Sequence, residues 1–116
     1  MQAETFNKLV EDMVEETTSL LISKNAGYND GGDKLESFKK AAALQGITPK
    51  EALRGMWAKH VVSISDMLAS EKVFPIEVWQ EKLGDNINYS ILAMGLEMDF
   101  RESLATFPLD RSHPNN

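Results

Sequence analysis

The chain has 116 residues, 42% of them hydrophobic and 26% charged, which fits an ordinary folded domain with a core of its own. Its formal net charge of -6 argues against a general nucleic-acid binder, because phosphate backbones are held by a surplus of Lys and Arg. Cysteine is absent, so disulfides, thiol catalysis and cysteine-ligated zinc are excluded. No apolar run approaches the ~18 residues that span a bilayer, and the polar start MQAETFNK is unlike a secretory signal. No membrane partner and a cytoplasmic location are the expectations.

Taken in chain order, hydrophobic periodicity predicts a first helix from about Glu4 to Ser23, carried by Phe6, Leu9, Val10, Met13, Val14, Thr17, Leu20 and Leu21. Lys24 to Asp33 holds three glycines, two asparagines and two aspartates in ten residues and reads as a loop. A short helix is expected from Lys34 to Gln45, closed by Gly46. Thr48, Pro49 and Glu51 then make the clearest start in the chain, an N-cap, a first-turn proline and a capping box. That third helix should run to about Ser70. Pro75 breaks the pattern, since the residue before a proline avoids helical angles. The last helix is expected from Ile76 to about Ser103. Residues 1–105 are thus one helical domain, followed by a polar tail over 106–116. The fold class is all-α, a bundle of three long helices and one short one. The six methionines and two tryptophans are read as core, Met56, Met67, Met94 and Met98 among them.

A few residues are harder to assign to packing. Tyr28 stands among glycines, where it could stack on a base, or simply fold over the core. Lys59, Ser63 and Asp66 share one stripe of the third helix, suiting a phosphate with an adjacent sugar or metal, or an ordinary solvated face. His60 lies beside the apolar face. In the last helix Glu81 and Asp85 are like charges one turn apart, a spacing that costs a little unless a cation or solvent compensates. Carboxylate oxygens on neighbouring turns fit Mg²⁺. Asn88, inside an apolar stretch, needs a hydrogen-bond partner if buried.

The segment E-K-L-G-D-N-I-N-Y-S-I-L-A-M, Glu81 to Met94, resembles the closing metal-binding helix of the MazG-like, all-α nucleotide pyrophosphatases. The span from Lys24 to Met98 is similar to the small MazG-like proteins of bacteriophages. It has the K-N-x-x-Y loop, the following L-E-S-F-K, the K-H-x-x-S-I-x-D helix and the E-K-x-G-D-x-x-N-Y helix in that order. The resemblance implies an oligomeric helical protein that holds a small nucleotide between helices, in the cytoplasm of a bacterial host cell. Lys24, Tyr28, Lys59, His60, Ser63, Asn88 and Tyr89 would contact the nucleotide. Asp66, Glu81 and Asp85 would hold Mg²⁺.

The pattern also departs from the catalytic members. Lys82 stands three residues before Asp85, where an acid is favoured, and Asp66 is the only acid of its stretch. Further acids could come from the first helix, at Glu11, Asp12, Glu15 and Glu16. A nucleotide binder that sequesters a defence signal is the leading expectation. A Mg²⁺-dependent nucleoside triphosphate pyrophosphatase is the second, and a non-catalytic interaction module the third.

Overall fold

A computed structural model describes residues 1–29 and 32–105, with the side chains of residues 23–29 excepted. The described chain is helical, without strands. Helix α1 spans Ala3–Asn29, α2 Glu36–Gln45, α3 Pro49–Ala69 and α4 Ile76–Ala105.

The starts and stops follow from local chemistry. Thr48 Oγ1 accepts from the Glu51 backbone N–H at 3.2 Å, and the Glu51 carboxylate accepts from the Thr48 N–H at 3.0 Å, so the capping box is complete. Gly46, at φ 67°, takes the left-handed conformation that ends α2. From there its N–H reaches the Ala43 carbonyl, while that of Ile47 reaches Ala42. Pro75 accepts from Val78 and Trp79 as α4 begins.

The expected loop from Lys24 to Asp33 needs correction. Helix α1 continues through Lys24, Asn25, Ala26, Gly27 and Tyr28 to Asn29. This stretch contains no proline, and a single glycine costs a helix only about 1 kcal/mol relative to alanine. Clustered Gly and Asn lower helical preference without abolishing it.

Phe38 of α2, Leu53 of α3 and Leu96 of α4 form the buried centre, with Leu35, Met56, Tyr89, Leu92 and Ala93 packed around them. Helices α3 and α4 are antiparallel, since Lys50 pairs with Glu97 at one end and Trp57 bonds Asn86 further along. Lys39 bridges Asp33 and Asp99, tying the entry of α2 to α4. Helix α1 leans chiefly on α4. The two run parallel: Thr17 meets Gly84 and Asn88, and Leu21 lies level with Ile91 and Leu92.

Burial of the methionines divides. Met67 is buried and Met56 partly so, whereas Met94 and Met98 are 63% and 64% exposed. Both belong to the apolar pattern of α4, but they sit on a stripe that no other described helix covers. Among the described residues no helix is long and apolar enough to cross a membrane.

Candidate functional site

Helix α4 carries polar groups toward both of its neighbours. Toward α1, Gly84 allows a very close approach: a Cβ there would stand 3.0 Å from Thr17 Oγ1. Asn88 Nδ2 donates to the Thr17 carbonyl at 3.3 Å, while its Oδ1 is buried without a hydrogen-bond partner among the described residues. A cleft of about 200 Å³ opens beside this contact. Glu16, Glu81, Asp85 and Asn88 give it a polar lining, with Met13 and Leu20 as its apolar wall. Among the described residues no lysine or arginine lines it.

Toward α3, Trp57 Nε1 donates to Asn86 Oδ1 at 2.7 Å, and the Trp57 ring stacks on Tyr89 with centroids 6.1 Å apart. His60 tilts against the same tyrosine with centroids 4.9 Å apart. Its Nδ1 is buried, lacks a hydrogen-bond partner among the described residues and lies 3.8 Å from Asp85 Oδ2. Asp85 therefore serves both sides of α4. Burial, followed by the negative charge of Asp85, raises the Tyr89 hydroxyl above its ordinary range, so the phenol stays protonated and able to donate.

The structure brings together part of the residue set expected from sequence. Glu81, Asp85 and Asn88 share the α1–α4 cleft, and His60 and Tyr89 pack just behind Asp85. Lys59 is exposed and has no ion pair or hydrogen bond among the described residues. Ser63 is half-buried, and Asp66 is exposed; neither lines the cleft. Lys24 and Tyr28 lie outside the described side chains, on the helical backbone of α1. Of the four acids considered on α1, Glu16 alone lines the cleft.

Thr17, Gly84, Trp57 and Asn86 were not singled out as site residues by sequence. A glycine in the middle of a thirty-residue helix was the available signal, since it weakens the helix unless a neighbour needs the space.

The donor chemistry of the cleft suits a hard cation, with three carboxylates in its lining. Among the described residues, however, no three His, Asp or Glu side chains converge into a metal cage. Mg²⁺ does not require one. It keeps several waters and binds through one or two carboxylates plus the phosphates of its ligand.

No protein-family model, no curated protein and no solved structure matches the chain.

Proposed function

We propose that this chain is a MazG-like nucleotide-handling protein whose α1–α4 cleft receives the phosphates of a nucleotide together with Mg²⁺. The observation that carries the reading is one cleft lined by Glu16, Glu81, Asp85 and Asn88. Carboxylates repel a bare phosphate, so a phosphate enters this cleft with a divalent cation between. The order of motifs from Lys24 to Met98 supports the same reading, as do the helices that carry them. A bacteriophage origin and a working place in the host cytoplasm go with that resemblance.

The absence of cationic lining among the described residues, Lys59 included, favours a metal-bridged phosphate over direct capture by Lys59. A second reading, hydrolysis to a monophosphate and pyrophosphate, is favoured by the same acids, because Mg²⁺ neutralises charge on a transferring phosphoryl group. Within the chain, Asp85 and Glu81 would hold the cation, and Asn88 would orient a polar group of the ligand. Binding without turnover corresponds to sequestration of a nucleotide signal.

A thermal-shift panel of nucleotides with and without Mg²⁺, followed by product analysis, tests both. The expected result is a Mg²⁺-dependent shift that Asp85→Ala abolishes and Lys59→Ala leaves in place. Released pyrophosphate would assign hydrolysis, and intact ligand would assign sequestration. No shift with any nucleotide would overturn the proposal.

A further inference from the structure

We propose that a groove between α3 and α4 binds a single-chain amphiphilic anion, a linear hydrocarbon whose terminal carboxylate sits at Lys50 and Arg54. The groove has a volume of about 660 Å³, within the ~300–1,000 Å³ usual for small-molecule sites. Its walls are Leu53, Trp57, Val61 and Val62 of α3 and Leu96 of α4. Ala58 and Ala93 complete the apolar lining, and their short side chains leave space that a longer residue would fill. From Trp57 to Val62 no charged side chain lines it among the described residues, and the Trp57 N–H is already engaged by Asn86 Oδ1. A hydrocarbon tail lying there strands no donor.

The charge is gathered at one end. Lys50, Arg54 and Glu97 line the groove beside the start of α3. Glu97 is shared between Lys50 and Arg101, so this trio keeps one net positive charge. Arg54 adds a second and has no ion pair among the described residues. Glu51 lies three positions from Arg54, but its carboxylate is engaged by the Thr48 N–H. The N-terminal end of α3 carries positive potential of its own. On a chain of net charge -6, this end of the groove attracts an anion.

That distribution decides the occupant. An amphipathic partner helix carries polar groups along its whole length and suits a groove charged along its rims. Here the charge is confined to one end of a track that runs twelve positions from Lys50 to Val62, about 18 Å at the helical rise. One charged head on an unbranched tail matches that polarity. The groove and the α1–α4 cleft have no described lining residue in common, so this site stands apart from the nucleotide reading.

Dodecanoate, titrated into the full chain below its micelle-forming concentration, is the probe. Calorimetry should find one site per chain with a dissociation constant below about 100 µM. From hexanoate through octanoate and decanoate to dodecanoate, affinity should rise about 2- to 4-fold per methylene as each is buried. Dodecyltrimethylammonium, with the same tail and the opposite head, should bind at least about 10-fold more weakly. Arg54→Glu should weaken dodecanoate about 10-fold and narrow the difference between the two heads, whereas Lys8→Glu, the same charge change on α1, should alter neither. Ala58→Trp should abolish binding at unchanged far-UV circular dichroism, since Ala58 is exposed. Should A58W lose helix, Val62→Glu replaces it and should flatten the dependence on tail length. A dodecanoate dissociation constant above about 100 µM overturns the proposal, as does equal affinity for the two heads or indifference to R54E and the groove substitutions. A wild type that runs at twice 13.0 kDa, and that A58W or V62E converts to a single chain, also overturns it, because a second copy would then fill the groove.

Discussion

His60 Nδ1 stands 3.8 Å from Asp85 Oδ2, close enough to feel the carboxylate and too far to bond it. The nitrogen is buried and finds no hydrogen-bond partner among the described residues, while the ring rests on Tyr89. A polar atom left in this state costs a fold about 1–3 kcal/mol. Replacing His60 with Phe keeps the ring contact and removes that atom. H60F should unfold at the same or a higher urea concentration than the wild type, by up to about 1 kcal/mol, yet show a weaker nucleotide shift. A loss of more than about 2 kcal/mol would mean that the imidazole bonds within the chain.

The approach of α1 to α4 depends on Gly84. A Cβ at this position meets Thr17 Oγ1 at 3.0 Å, and Thr17 is itself buried. Alanine would gain about 1 kcal/mol of helix propensity and spend it on separating the helices. In a double-mutant cycle, Gly84→Ala should be neutral or destabilising alone and stabilising in a Thr17→Ala background. A coupling of at least about 0.5 kcal/mol is expected. Additive effects would show that the two positions do not touch.

Trp57 contributes more than its ring. Its indole N–H donates to Asn86 Oδ1 at 2.7 Å across the α3–α4 contact. Trp57→Phe should destabilise by about 1–2 kcal/mol, from the lost bond and the smaller ring together. Asn86→Ala in that background should cost little more. Equal costs of Asn86→Ala in both backgrounds, measured by chemical denaturation, would rule the bond out.

The acid limb of stability should follow three carboxylates. Asp33, Glu51 and Glu97 are each held below their ordinary range, by Lys39, by the Thr48 N–H and by Lys50 respectively. A depressed carboxylate stabilises the fold above its unfolded pKa and loses that contribution as pH falls through the folded value. Melting temperature should therefore drop below about pH 4. Lys39, raised by Asp33 and Asp99, acts at the other end: its contribution is complete below its unfolded pKa and fades as pH rises through the higher folded one. Glu97 also accepts from Arg101 Nε at 2.8 Å, so Glu97→Gln should flatten the acid limb; an unchanged slope would deny the Lys50 and Arg101 contacts a role.

What could be read from sequence was whatever depends on residues near one another in the chain. Thr48, Pro49 and Glu51 announce α3, and Gly46 and Pro75 punctuate the helices where they were expected to. The end of α1 was misplaced because glycine and asparagine content lowers helix preference without measuring what opposes it. Glu81 and Asp85 were legible as a pair on one helix. The partner acid was not, because choosing Glu16 over Glu11, Asp12 or Glu15 requires knowing which flank of α1 lies against α4. Met94 and Met98 illustrate the same limit. Periodicity places them on a common stripe with Ile91, but it cannot say whether this chain has a helix to cover that stripe.

The parallel pairing of α1 with α4 also bears on how the chain is made. Asn88 and Thr17 are 71 positions apart, with α2 and α3 between them. On a ribosome adding 5–20 residues per second, α1 emerges roughly 4–14 s before the part of α4 it rests on. During that interval Met13, Thr17, Leu20 and Leu21 lack the α4 surface beside which they lie in the folded chain. The N-terminal helix is thus the last to be seated although it is the first to be synthesised, and a nascent-chain holdase would find its binding segment there.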